Sequence, residues 1–175
     1  MSPTVTGTGL LADAGLREEV LRCYLPHCRY LTDMHVDQAA DTVEGRATLS
    51  IAESCYIQDT GHLNAVEVNI GYNQMLYYTI ARTVRDRLHP VFADWSMEDY
   101  WRRQLADILI VNLSSTFRAP IDRTAFSGSF TLRRARQRRL RSDRPATIML
   151  DTAFRFWDAH GGSCSGQVDV AVVVS

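Results

Sequence analysis

The feature that most constrains the fold is one long helical signal with an apolar middle. Asn64 and Glu67 match a capping box, in which a side-chain acceptor precedes a carboxylate by three positions. Beyond this start, apolar or small side chains recur with the helical period, at Val68, Tyr72, Met75, Leu76, Thr79, Ile80, Thr83 and Val84. A helix from here to Arg87 would be about 35 Å long. Few polar residues interrupt its middle, so we expect other elements to cover most of its sides.

Segments typical of β-strands lie on both sides of this helix. Two precede it, at 29–37 and 42–52, and the polar turn Gln38–Asp41 separates them. Four follow it, at 108–118, 126–138, 145–157 and 165–174. This chain order predicts an α+β hotdog fold, in which an antiparallel sheet wraps around a long central helix. An unrelated α+β sandwich is the alternative.

Shorter helices are expected from Asp13 to Arg22 and from Ser96 to about Asp107. We expect residues 1–12, which are rich in Gly, Thr and Ser, to be disordered, and residues 13–175 to form a single hotdog domain. Unpaired edge strands and a half-covered helix favour association, so we expect at least a homodimer. The N-terminus lacks a basic and then apolar leader, and no apolar run reaches the length of a membrane span, which favours a cytoplasmic protein.

Composition excludes several kinds of site. All 19 basic residues are arginine and there is no lysine, which excludes a Schiff-base lysine and a Walker-type phosphate loop. The four cysteines form no C-x-x-C pair, so we expect no metal site. The chain also lacks a G-x-S-x-G elbow and a dinucleotide-binding fingerprint.

The densest group of reactive side chains is the segment Glu53–Glu67, which places His62 just before the long helix. The positive helix end disfavours imidazolium, so we expect His62 to be neutral and able to accept a proton near pH 7. Unpaired N–H groups of the first turn can hold a carbonyl oxygen as it gains charge. This combination suits acyl thioester chemistry. The alternative is a loop histidine bonded to a nearby carbonyl.

Other polar candidates lie near this helix. Asn64 is a helix cap, a site residue, or both. Asn69 and Asn73 are one turn apart in the apolar stretch, and a buried amide there either ties down the sheet or faces a polar pocket. Tyr30 and Tyr56 fall at strand positions near the helix start, where a tyrosine is also common as a core residue.

A run of arginines from Arg133 to Arg144 is the other conspicuous feature. It is either the solvated, charged edge of a hairpin or a docking surface for an acidic carrier protein or the phosphates of a pantetheine arm. The run lacks interleaved aromatic residues and a recognition motif, which disfavours nucleic acid.

Several of these segments resemble one family, the type III long-chain fatty acyl-CoA thioesterases (FcoT). The resemblance rests on Cys28-Arg29-Tyr30-Leu31, on Tyr56-Ile57 and Thr60-Gly61-His62, on Asn64-Ala65-Val66-Glu67, on Asn73-Gln74 and, near the C-terminus, on Phe156-Trp157-Asp158, Gly161-Gly162 and Ser165-Gly166. It spans roughly residues 28–171 and is weakest at the N-terminus and in the arginine run.

The resemblance implies a hotdog enzyme that acts on acyl thioesters. The family is named for acyl-CoA hydrolysis. Members encoded in isonitrile lipopeptide pathways add glycine to the β-carbon of a (2E)-enoyl chain on acyl carrier protein, a lyase-type Michael addition. In this family the polar residues that match Tyr30, Tyr56, Asn64 and Asn73 are associated with the active site.

Chemistry favours addition over hydrolysis. Hotdog thioesterases commonly use a carboxylate near the helix, whereas Glu67 is the only acid in the first helical turns and the capping box already engages it. Our hypothesis is a (2E)-enoyl-ACP glycyltransferase; the alternatives are acyl-CoA hydrolysis and a non-catalytic acyl-binding protein.

The hypothesis gives each candidate a role. His62 moves the proton, Asn64 or Asn73 holds the enolate oxygen, and Tyr56 and Tyr30 position glycine or relay the proton. Glu67, like Tyr30, is expected to bind the substrate. The partners are acyl carrier protein, the enoyl thioester and glycine. No metal or redox cofactor is required, and the pantetheine arm belongs to the substrate.

Overall fold

A computed structural model describes residues 12–138 and 145–174. The segment expected to be disordered lies outside the described residues except for Ala12, and so do residues 139–144 of the arginine run.

Six strands form one antiparallel sheet. In chain order they are β1 (Leu31–Ala39), β2 (Thr42–Leu49), β3 (Ile108–Ala119), β4 (Phe126–Arg138), β5 (Ala146–Trp157) and β6 (Ser163–Val174). Their order across the sheet is β1-β2-β4-β5-β6-β3, so β1 and β3 are its edges. Each strand lies within three residues of the bounds predicted from the sequence.

Three helices accompany the sheet: α1 (Ala14–Leu21), α2 (Ala65–Asp86) and α3 (Met97–Arg103). Asp13, Asn64 and Ser96 cap them, as the sequence predicts. The third helix ends four residues before the predicted Asp107, because the chain there continues as hydrogen-bonded turns before it enters β3.

The long helix α2 packs against one face of the sheet. Fourteen of its 22 residues are buried, which confirms that other elements cover it. The Tyr72 ring lies 5.4 Å from that of Phe154 on β5, and its hydroxyl is 2.7 Å from the Thr152 hydroxyl. A sheet wrapped in this order around a buried central helix is the predicted hotdog fold. None of the helices among the described residues is long and apolar enough to cross a membrane.

The edge strand β3 keeps apolar side chains on the surface. Leu109 is 47% exposed, Val111 60% and Phe117 43%. An edge strand with a row of exposed apolar side chains is a template for pairing with another chain.

The described arginines of the run occupy the end of β4. Arg134, Arg136 and Arg138 border a small cavity together with Asp151 and Asp169, so acidic groups accompany the basic ones. Arg138 lies opposite Thr147 in the register, whereas Ser127, at the other end of β4, lies opposite Trp157.

The sheet offers a direct stability test at Gly166 on β6. A Cβ there would collide with the Ser114 carbonyl oxygen and the Phe154 ring. Gly166→Ala should therefore lower the free energy of unfolding by about 1–3 kcal/mol, as overpacking does. Urea denaturation followed by circular dichroism measures the change.

Gly15 in α1 is the matched control, because the nearest atom to a Cβ there is 3.5 Å away. Gly15→Ala should leave stability unchanged or raise it slightly, since alanine has the higher helix propensity. Equal urea midpoints for the two variants would contradict the close approach at Gly166.

Candidate active site

An open cavity of about 400 Å³ lies where α2 begins and β3 ends. Its lining consists of His62, Leu63, Asn64, Ala65, Phe117, Arg118, Ala119 and Pro120. Five of these side chains are apolar, and the polar ones are an imidazole, an amide and a guanidinium. The cavity therefore offers an apolar wall beside groups that can accept protons or donate hydrogen bonds.

The loop before α2 is tied to the segment after β3 by backbone hydrogen bonds. Leu63 N donates to Ile121 O at 3.0 Å, and Ile51 N donates to Arg123 O at 2.9 Å. Within the loop, Gly61 adopts a positive φ of 75° and its N–H donates to Asp59 Oδ1 at 2.7 Å. This turn presents His62, which is exposed, at the cavity.

Arg123 holds this loop in place through hydrogen bonds from its guanidinium. Its Nε donates to Asp59 Oδ1 at 2.6 Å, and a second nitrogen donates to the Ile51 carbonyl oxygen. The guanidinium holds the pKa of Asp59 at about 2, with help from the Gly61 N–H. The loop that carries His62 is thus held by an ion pair between two residues that are 64 positions apart in the chain.

The capping box at the start of α2 is complete. Asn64 Oδ1 accepts from Val66 N at 3.0 Å and from Glu67 N at 3.1 Å, and Glu67 Oε2 accepts from Asn64 N at 3.3 Å. Val68 N donates to Asn64 O. These bonds use most of the first-turn donors, which corrects the expectation of several free N–H groups. The N–H of Ala65 is the one that has no partner among the described residues.

Both capping side chains have a second polar atom that the cap does not use. Asn64 Nδ2 and Glu67 Oε1 are buried and have no hydrogen-bond partner in the part of the chain that the structure describes. Asn64 is therefore a helix cap, and it also carries an uncommitted donor beside the cavity.

The two tyrosines lie in different surroundings. Tyr30 is fully buried, and its hydroxyl, next to the Cys55 thiol, finds no hydrogen-bond partner within the described residues. Burial raises the pKa of Tyr30 well above its usual value, so the phenol is protonated at neutral pH. Tyr56 is 49% exposed and borders a second depression, of about 480 Å³, with Ser54 and Arg123.

Asn73 does not join the helix start. It is half-buried and bonds Asn69 Oδ1 through Nδ2 at 3.4 Å, so the expectation of two fully buried amides is wrong. Nine residues of helix separate Asn73 from Asn64, which is about 13 Å along the axis. Within one chain, Asn73 and the first turn of α2 therefore cannot hold the same oxygen atom.

The buried amide that organises this region is Gln74, which the sequence analysis missed. Gln74 Oε1 accepts from Tyr30 N at 2.8 Å and from Leu31 N at 2.9 Å, and its Nε2 donates to Cys28 O at 2.6 Å. These bonds fix the start of β1 against α2. A glutamine in the apolar stretch is the signal that indicates such an anchor, whereas the sequence-based prediction gave this role to Asn69 and Asn73.

The family model of the FcoT-like thioesterase domain matches residues 19–172. A (2E)-enoyl-ACP glycyltransferase from Streptomyces coeruleorubidus is 44% identical over 163 residues, covering 93% of this chain and 98% of the relative. The Mycobacterium marinum protein of the same name is 38% identical, with 83% and 78% covered. Among solved structures, a thioesterase family protein from Silicibacter pomeroyi aligns with a TM-score of 0.43 at 12% identity, with 93% and 98% covered.

Substitution of Asn64 separates its capping role from its free donor. Serine caps helices about as well as asparagine, so Asn64→Ser should keep the stability while it removes Nδ2; Asn64→Ala should cost about 1 kcal/mol. Thermal unfolding and turnover are measured on the same samples. If Asn64→Ser retains full turnover, Asn64 is a cap and its amide has no part in the chemistry.

Proposed function

The chain belongs to the FcoT-like thioesterase family, and from this membership we propose that it is a (2E)-enoyl-ACP glycyltransferase. The observation that carries the proposal is the cavity at the start of α2, where His62 and an apolar wall meet the Ala65 N–H, which has no partner in the described part of the chain. Two relatives of that name, 44% and 38% identical, support the choice of reaction.

The proposed reaction adds glycine across the enoyl double bond. His62 takes one proton from the glycine ammonium, and the freed amine forms a bond to the β-carbon. The π electrons move to the thioester oxygen, which becomes an enolate. The proton then goes to the α-carbon, so the product is the sum of the two substrates. General-base help of this kind is worth about 10²–10⁴ in rate.

The start of α2 is proposed to hold the enolate oxygen. Ala65 N–H and the positive end of the helix favour a developing negative charge at this place. Asn64, which lines the cavity, carries in Nδ2 a donor without a partner among the described residues. Of the two asparagines considered for the enolate, the geometry favours Asn64. For Asn73 we propose only that it positions the substrate further along the helix.

Tyr30, Tyr56 and Glu67 are proposed to assist. A protonated, buried Tyr30 suits hydrogen-bond donation and not proton abstraction. Tyr56 borders the neighbouring depression, where it can orient a polar substrate. Glu67 is 1% exposed and forms part of the helix cap, so we propose that its role in substrate binding is indirect, through its charge near Tyr30.

Hydrolysis is the less favoured reaction at this site. None of the described residues that line the cavity is an acid, and Glu67, the acid of the first turn, is buried in the capping box. A carboxylate-activated water therefore has no ready position, whereas amine addition requires only a proton acceptor and an oxyanion site.

Association through β3 is part of the proposal. The exposed apolar side chains of this edge strand border the cavity at Phe117, so a second copy that pairs there would close the cavity to water.

Carrier docking at the arginine run stays a prediction. The described part of the run lies at the sheet end away from the cavity, which favours the solvated hairpin edge over docking.

Mass spectrometry of a loaded carrier tests the reaction. With a 2-enoyl thioester on acyl carrier protein plus glycine, the carrier should become heavier by one glycine. His62→Ala should lower the initial rate by about 10²–10⁴. The control is His35→Ala, since His35 is an exposed histidine on the opposite edge strand. Free acid and unloaded carrier, formed without glycine, would contradict addition and support hydrolysis.

Light scattering with size-exclusion chromatography tests association. Val111→Arg introduces charge into the apolar edge, and the variant should shift from dimer to monomer at micromolar concentration. Leu25→Arg is the control, because Leu25 is 65% exposed but lies outside the sheet. A monomeric wild type, or equal masses for all three proteins, would contradict pairing through β3.

A further inference from the structure

Arg118 is set into the cavity wall by an irregularity of the sheet. Strand β3 pairs with β6, and the register shifts between Phe117, opposite Cys164, and Ala119, opposite Ser163. Arg118 is the additional residue of this bulge. Bulges re-aim side chains and are frequent next to active sites. Here the side chain lines the same cavity as His62 and Asn64.

The guanidinium of Arg118 is uncommitted. It is exposed, and no ion pair or hydrogen bond to it occurs within the described residues. The neighbouring Arg123 is engaged with Asp59 and the Ile51 carbonyl oxygen, so it is unavailable. Since the chain contains no lysine, Arg118 is the permanent cation of the described cavity lining.

We infer that Arg118 binds the carboxylate of the amino acid that adds to the enoyl chain. This inference rests on the proposed function. Glycine has two polar groups, and its amine must stay free to attack, so recognition falls to the carboxylate. The planar guanidinium fork matches a carboxylate with two parallel hydrogen bonds. Anchored at Arg118, the amino acid would lie in the cavity that His62 and Asn64 also line.

The arrangement makes Arg118 a specificity determinant. An amine without a carboxylate loses the pair with Arg118, and the described cavity lining has no acidic group that would bind it instead. The enzyme should therefore prefer glycine to glycinamide, which has the same amine position and no carboxylate.

The test combines two nucleophiles with three variants. Arg118→Ala should lower kcat/KM for glycine by about 10- to 100-fold, the loss expected for one charge-assisted hydrogen-bonded pair, and leave kcat/KM for glycinamide unchanged. Arg118→Lys should fall between, because it keeps the charge and loses the fork. Each variant is compared with the wild type on the same nucleophile, so the different amine pKa values of glycine and glycinamide cancel in the ratio of kcat/KM values.

Arg46→Ala is the matched control. Arg46 is an exposed strand arginine that borders a different depression, on β2, four strand spacings or about 19 Å across the sheet from β3. Its substitution should leave both nucleophiles unaffected. Thermal unfolding of all variants excludes a loss through misfolding.

Two further outcomes would overturn the inference. Equal losses with glycine and glycinamide would assign Arg118 to the acyl partner or to the fold. A loss seen with carrier-bound substrate but absent with an N-acetylcysteamine thioester, which has no phosphate, would assign it to the phosphodiester of the pantetheine arm. If the wild type forms no adduct with glycine, the proposed function falls and this inference falls with it; an adduct without discrimination overturns only the inference.

Discussion

Burial of α2 against the sheet is the interaction on which the rest of this protein depends. Fourteen of the 22 helix residues are buried, and they extend from Glu67 to Val84. Gln74 anchors the first strand to it through three hydrogen bonds, and Tyr72 bonds the fifth strand. Once these contacts form, the position of the helix N-terminus is set, and with it the end of the sheet where a substrate can approach.

The same capping box that starts this helix restricts what its N-terminus can do. A helix end has free N–H groups that suit an oxyanion, but a side-chain cap competes for the same donors. Asn64 occupies two of them, so the proposed oxyanion site is reduced to Ala65 N–H and the uncommitted amide of Asn64. In the proposed mechanism, capping and catalysis therefore share one residue, and only a replacement that preserves the cap separates the two roles.

The sequence was sufficient for the elements and insufficient for the contacts between them. Periodicity and capping patterns identified α2 and all six strands, because these signals are local. The Asp59–Arg123 clamp and the Gln74 anchor join positions 64 and 43–46 residues apart, and no local pattern announces such pairs. The bulge at Arg118 arises because β3 has one residue more than β6 between two successive pairs. This register with β6 cannot be read from the sequence of β3 alone. The position of His62 before the capped helix could be predicted from the sequence, because it is itself a local feature.

The distribution of unsatisfied polar atoms indicates where stability yields to another requirement. A buried donor or acceptor without a partner costs about 1–3 kcal/mol. Among the described residues, Tyr30 Oη, Ser54 Oγ, Asn64 Nδ2 and Glu67 Oε1 are such atoms at the helix start or in the segments before it, whereas Asp37 Oδ1 and Thr79 Oγ1 are such atoms elsewhere in the fold. Phenylalanine at Tyr30, alanine at Ser54 and serine at Asn64 would each remove the unsatisfied atom and keep the shape of the side chain or the helix cap. Four of these atoms lie near the start of α2, where Asn64 lines the cavity, and this distribution supports the proposed site for a polar reactant over an apolar acyl-binding scaffold.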